Sequence, residues 1–378
     1  MSAVSKRLSR AWIALAGLSL SFGCETIAGI EDRTLVVDEQ AELCVEYCDL
    51  VMAGCEGEHA VYYTHDACLA VCATMDLGDT DEPGMTDTLA CRLFHADFVD
   101  SDPVECVVAG PSGGDVCGDE CEAYCKFFER VCTEQGSINP PGCVEKCRGL
   151  RTARAFDVEA QGTGDTLECR IIHTCNATQN PVTHCPHATL IPPTAGGPCS
   201  DKIPPTCDDF CKLTTVACQD EYAVFDSEAQ CKLACAVFDL GDSTNTGTNA
   251  DGVTENTIGC RKYHAYVSLA TPDFHCPHAG PTGFGHCGGD PAICESYCKL
   301  AAAACSTEFA TAFGDAPTCE AQCAAMAGAT EAEVLDSPYR VDEVGSGDNV
   351  QCRVLHAVRA LENGANCAAA FGASPCVD

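Results

Sequence analysis

The chain has 378 residues, 34 of them cysteine, and carries 21 Lys and Arg against 56 Asp and Glu, a formal net charge of −35. A field of that sign repels nucleic acid and anionic lipid headgroups and argues against both as partners. Cysteine at this density points to an oxidising compartment, and no Cys-x-x-Cys occurs anywhere, which removes covalent haem attachment and paired-cysteine zinc sites and leaves disulfides.

Residues 1–23 read as an export signal, with Lys6, Arg7 and Arg10 followed by an apolar run from Ala11 to Phe22 that is too short to span a bilayer. The run ends in Ser21-Phe22-Gly23-Cys24, which resembles a bacterial lipobox, so Cys24 is the expected lipidation site and simple secretion the alternative. Residues 24–37 then form a tether, and any membrane contact is expected only through the lipid. No later segment is apolar enough to be transmembrane.

The rest divides into four cysteine-rich repeats, expected at 38–117, 118–199, 200–287 and 288–378. Each opens with Cys-x3-Cys-x6-Cys, as at Cys44, Cys48 and Cys55, a spacing that places all three cysteines on one side of a helix. A second Cys-x3-Cys follows, as at Cys68 and Cys72. Its cap chemistry is Asn139-Pro140 in the second repeat and Ser227-x-x-Gln230 in the third. Facing antiparallel, the two helices join outer cysteine to outer and inner to inner, predicting Cys44–Cys72 and Cys48–Cys68, and likewise Cys207–Cys235 and Cys211–Cys231. This resembles the twin Cys-x3-Cys helical hairpin of several small disulfide proteins.

An acidic loop follows, for example Asp239-Leu240-Gly241-Asp242, whose spacing matches no calcium loop and reads as a solvated connector. Then comes a third helix carrying a motif that recurs four times, Cys91-Arg92-x-x-His95, Cys169-Arg170-x-x-His173, Cys260-Arg261-x-x-His264 and Cys352-Arg353-x-x-His356. Cys91, Phe94, His95 and Phe98 share helical spacing and are expected on one buried face. The third cysteine of helix one has no partner in the hairpin, so it is assigned to this helix: Cys55–Cys91 and Cys218–Cys260, with Cys106–Cys117 and Cys276–Cys287 closing a C-terminal loop. Eight cysteines per repeat leave Cys24 and Cys175 over, the latter a free thiol or an intermolecular bridge. The expected fold is therefore all-α: four tandem disulfide-stapled units of three short helices with long loops. The short connections between repeats suggest a semi-rigid array.

The motif arginines are expected to clamp carbonyls or the acidic residues of the preceding loop. The motif histidines have metal-ligand spacing to their cysteines, but a cysteine in a disulfide cannot ligate, so a buried histidine bonded to the backbone is the simpler reading. Repeats two and three add His184-Cys185-Pro186-His187 and His275-Cys276-Pro277-His278. These bring His173, His184 and His187, or His264, His275 and His278, together as candidate copper, zinc or haem ligands in two repeats of the four. No nucleophile elbow, phosphate loop or His-Glu-x-x-His occurs, so no catalytic residue is assigned, the chain is not read as an enzyme, and no cofactor is called for.

The Cys-Arg-x-x-His-Ala and His-Cys-Pro-His-Ala signatures, with the Ala28-Gly29-Ile30-Glu31-Asp32-Arg33-Thr34-Leu35 segment, make the chain similar to the cysteine-rich tandem-repeat lipoproteins of myxobacteria. That resemblance implies an exported lipoprotein of the outer membrane or cell surface, with periplasmic or secreted forms as alternatives. The expected function is a non-enzymatic structural or binding module of the cell envelope, whose acidic faces meet a protein, polysaccharide or cation partner. The competing expectation is a metal- or haem-binding protein built on the histidines of repeats two and three.

Overall fold

A computed structural model describes residues 39–137, 139–150, 152, 156–190, 198–199, 205–241, 255–288, 292–329 and 338–377. The export signal, Cys24 and the tether lie outside the described residues. The described chain is helical, and its one β-bridge is an isolated contact between Asp239 and Thr257.

The cysteine spacing produces the hairpins. In the first unit α1 (Glu39–Gly54) packs on α2 (His65–Cys72), joined by Cys44–Cys72 and Cys48–Cys68. The second unit repeats this with α5 (Glu120–Cys132) and α6 (Cys143–Cys147), joined by Cys121–Cys147 and Cys125–Cys143. In the third, α9 (Cys207–Ala217) and α10 (Glu228–Cys235) carry Cys207–Cys235 and Cys211–Cys231. In the fourth, α13 (Ala292–Ala304) is followed by α14 (Ser306–Ala312), a helix the spacing did not predict, and pairs with α15 (Ala316–Cys323) through Cys294–Cys323 and Cys298–Cys319. The Ser227 hydroxyl accepts from the Gln230 amide and the Gln230 side chain returns to the Asp226 amide, closing the start of α10. Asn139 behaves differently from its expected capping role: its carboxamide oxygen accepts from the Leu190 amide at 2.9 Å, and α6 begins after Gly142 with no side-chain cap.

The motif helices are α3 (Leu89–Ala96), α7 (Leu167–Ala177), α11 (Ile258–Ser268) and α16 (Val350–Glu362). Each unit also has a fourth helix where a loop was expected: α4 (Val104–Ala109), α8 (Pro181–Ala188), α12 (Pro272–Ala279) and α17 (Cys367–Ala370). The signal was present in the sequence. Asn180 accepts from the Thr183 amide with Pro181 in the first turn, and Thr271-Pro272 occupies the same place in the next unit. These fourth helices run antiparallel to the motif helices, since Arg92 at the start of α3 reaches Gly110 past the end of α4 while His95 near its end meets Glu105.

That hairpin overturns part of the expected connectivity. Cys55 pairs with Cys106, not Cys91, and Cys91 pairs with Cys117, so Cys106–Cys117 does not form either. Likewise Cys218 joins Cys276 and Cys260 joins Cys287, while Cys132, Cys169, Cys305 and Cys352 join Cys185, Cys199, Cys367 and Cys376. The reason is positional. The fourth helix lies across the end of helix one, where the Cys106 sulfur sits 3.9 Å from the Gly54 carbonyl, and the returning tail brings the last cysteine back to the first turn of the motif helix. All these bridges close within their own unit. Phe94 and Phe98 are a second correction: both are more than two-fifths exposed and lie outside the core.

Residues 39–378 form one compact body, and successive units meet through repeated contacts. The lysine after the second cysteine of helix one reaches the end of helix two in the unit before: Lys126 to Asp76, Lys212 to the Leu150 carbonyl, Lys299 to Asp239. Units one and two add a bond from the Val158 amide to the Ala60 carbonyl at 2.9 Å, and units three and four repeat it from Val341 to Ala223 at 3.0 Å. Cys175, the free cysteine among the described residues, is buried, and burial pushes its thiol pKa well up.

Candidate metal centres

Each motif helix starts on a side-chain cap: Thr88, Thr166, Thr257 and Asn349 accept from the amides of Cys91, Cys169, Cys260 and Cys352. One turn on, the arginine folds back over that start. Arg261, 1% exposed, donates from Nε to the Gly280 carbonyl at 3.1 Å, from Nη1 to Thr257 at 3.2 Å and from Nη2 to Pro281 at 3.3 Å. Arg92 and Arg170 repeat the pattern on Gly110, Thr88 and Pro111, and on Thr189, Thr166 and Leu190. A planar fork serving several carbonyls is a task suited to guanidinium. It ties the end of the fourth helix to the start of the third, and so sets the register between them.

With the register set, the motif histidine always faces the residue before the fourth-helix cysteine. His95 Nδ1 meets Glu105 at 2.5 Å, His173 Nδ1 meets His184 Nδ1 at 3.0 Å, His264 Nδ1 meets His275 Nδ1 at 3.0 Å, and His356 Nδ1 meets Asn366 at 3.2 Å. The position is common to all units and its chemistry varies. Only the two central units place a third imidazole there, His187 and His278, one helical turn further along.

The six imidazoles fall into two sets of three. In the second unit the nitrogens of His173, His184 and His187 lie within 4.8 Å of one another, as do those of His264, His275 and His278 in the third. His264 Nδ1 is 3.0 Å from His275 Nδ1 and 3.3 Å from His278 Nδ1. An imidazole nitrogen holds one hydrogen or one lone pair, so it meets two such partners only through one shared, weaker bond, whereas a metal ion meets all three fully. Two imidazole nitrogens on one tetrahedral ion at the usual bond length lie about 3.3 Å apart, and cis ligands of a square-planar ion about 2.9 Å apart, so the spacing fits either.

Tautomer and charge agree with ligation. His173 Nε2 lies 3.2 Å from the Gly162 carbonyl, which only accepts, so Nε2 carries the hydrogen and Nδ1 keeps its lone pair toward the other two rings. His187 Nδ1 is buried and has no hydrogen-bond partner. Burial, reinforced by the neighbouring imidazoles, pulls His173 down to about 4, His264 to about 3 and His278 to about 2. His184, His187 and His275 are also lowered, with burial the main cause. All six rings are therefore neutral at pH 7, the state that binds a metal.

The six histidines singled out by sequence are thus brought together, three and three. A seventh, His286, was missed. It sits beside Cys287, eight residues past the His-Cys-Pro-His signature, and a turn through Gly283, Phe284 and Gly285 carries its ring to 4.1 Å from that of His278 and 5.7 Å from that of His264. Its sequence signal was weak, a lone histidine before the last cysteine of one unit. The triplets Cys91, His95, Cys117 and Cys260, His264, Cys287 are also close in space, but their sulfurs are committed to disulfides.

Neither the curated proteins nor the solved structures contain a match to this chain. The family model that does match is that of the BfoA family C-terminal domain, which covers residues 28–120 and again 205–291. Those two segments span units one and three, so the chain is similar to that domain twice over.

Proposed function

We propose that the protein is an exported, lipid-anchored binding module of the cell envelope whose two central units each hold a divalent transition metal, zinc or copper, on three neutral imidazoles. The coarser part of this, a disulfide-rich helical repeat protein suited to a structural or binding role, follows from the fold and the repeated domain. Export is supported by a framework that closes only where thiols oxidise. Lipidation is supported by Cys24, which lies outside the eight-cysteine pattern, and the resemblance to myxobacterial lipoproteins supports an outer-membrane or cell-surface location. The reading is of binding, not catalysis.

The observation that carries it is the convergence of three Nδ1 atoms in the third unit, with 3.0 Å and 3.3 Å separations that hydrogen bonding serves only by sharing one hydrogen or lone pair. Full-length protein matured in an oxidising compartment, loaded with zinc or copper and dialysed, is expected to retain two ions per chain by elemental analysis. The double substitution His173→Ala with His264→Ala should retain none while keeping its helical circular dichroism. A parent protein that keeps no metal would overturn the reading.

One observation favours a second reading, in which the histidines only buttress the hairpin. All four motif histidines bond to the residue before the fourth-helix cysteine, including Glu105 and Asn366, where no metal set forms. On that reading, replacing His173 or His264 lowers stability as much as replacing His356 and changes nothing else.

A further inference from the structure

We infer that the two centres are of different kinds: His286 closes the third-unit centre as a fourth nitrogen ligand, while the second-unit centre keeps an open coordination position. The inference rests on the proposed metal binding and deepens it.

Imidazoles on one tetrahedral ion have ring centroids about 5 Å apart, given the usual metal–nitrogen distance. In the third unit His264 lies 5.3 Å from His275, 4.6 Å from His278 and 5.7 Å from His286, and His278 lies 4.1 Å from His286. The rings of His264, His275 and His278 thus group together, and His286 lies against two of the three, His278 and His264. The second unit has three, at 5.2, 5.1 and 6.3 Å from one another, and Pro198 stands before its last cysteine, where a fourth ligand cannot come from the side chain.

The surroundings differ in the same sense. Phe274 packs edge-on against His275 at 4.9 Å and His278 at 5.0 Å, and Phe284 lies 5.3 Å from His278 on another side. In the second unit the place of Phe274, itself 53% exposed, is taken by Thr183, which is small, polar and exposed. His278 is 0% exposed, whereas its counterpart His187 is only partly covered. A fourth nitrogen fills the coordination sphere in the third unit, although Phe274 and His286 are themselves exposed, and three nitrogens leave a position that takes water or an added ligand.

The turn that delivers His286 is also built at a cost. Phe284 has φ 47°, a left-handed conformation unfavourable for a bulky side chain, between two glycines that adopt it freely. The first unit makes the same turn with Gly113, Gly114 and Asp115, so the path is general. The third unit places on it an aromatic residue that packs against the ligand set and a histidine that completes it.

The experiment uses full-length oxidised protein loaded with Co(II), whose visible spectrum reports coordination, with azide as the added ligand. Two variants isolate the centres: His184→Ala leaves the third-unit site, and His275→Ala leaves the second. The third-unit site should give a four-coordinate spectrum that azide does not change, and the second-unit site should shift on azide addition. Adding His286→Ala, an exposed position whose loss should not unfold the chain, to the His184→Ala variant should weaken Co(II) and Zn(II) affinity at least tenfold and make the spectrum azide-sensitive. If both centres bind metal and respond to azide alike with or without His286, this inference fails while metal binding stands. If neither centre binds Co(II) or Zn(II), both fail together.

Discussion

Lys262 Nζ lies 3.4 Å from the Asp165 carboxylate, across the boundary between the third and second units, with side chains 1% and 2% exposed. Asp165 also pairs with Arg170 of its own unit at 2.9 Å, so one buried carboxylate answers two buried cations. Removing it strands both. Asp165→Ala is expected to destabilise the protein by about 3–5 kcal/mol, whereas Lys262→Met, which leaves the Arg170 pair intact, should cost much less. Urea denaturation of the two variants measures this, and equal losses would show that the carboxylate does not serve both cations.

The arginine clamp makes a separate prediction. Arg261 donates to three carbonyls and lies 4.1 Å from the centre of the Phe238 ring, a set of contacts that an ammonium cannot reproduce. Arg261→Lys should therefore lower stability by about 2 kcal/mol or more despite conserving charge. It should also loosen metal retention in the third unit more than in the second, because the register of α11 on α12 positions only the third-unit histidines.

The pH dependence of stability has one clear source outside the metal centres. Burial, then the nearby charges of Asp115 and Glu168, pushes Glu120 up from 4.5 to about 7, with a Ser112 hydrogen bond opposing. A carboxyl whose folded pKa is raised contributes stability fully below its unfolded value and loses it as pH rises through the folded one. Glu120→Gln should thus leave stability unchanged near pH 4.5 and raise it above pH 7, by on the order of 1 kcal/mol after allowance for solvent screening. A difference that is the same at both pH values would refute the assignment.

Connectivity is directly measurable. Peptide mapping without reduction should link Cys55 to Cys106 and Cys91 to Cys117. The Cys55–Cys106 bridge spans 51 residues, so removing both partners should cost about 4 kcal/mol on the loop-entropy account.

Cys175 should resist alkylation in the native state, because its thiol is buried and its pKa is raised, and should react once the chain is opened by denaturant. Native-state labelling at the rate of a free peptide thiol would contradict its placement.

The sequence by itself determined the pairing within each two-helix hairpin, which depends on local spacing. Cys44, Cys48, Cys68 and Cys72 lie on two adjacent helices, and the helical period alone brings each pair face to face. The grouping of His173 with His184 and His187 was legible from the His-Cys-Pro-His signature that follows the motif, although the helix that carries His184 and His187 was not. Tertiary structure decided what depends on how a third and fourth helix return. Cys55, Cys91, Cys106 and Cys117 are far apart in the chain, and their pairing was chosen by α4 crossing the end of α1, held in place by the Arg92 clamp. His286 belongs with them: it has no periodic relation to His264 or His278, and only a left-handed turn at the close of the unit carries it into their cluster.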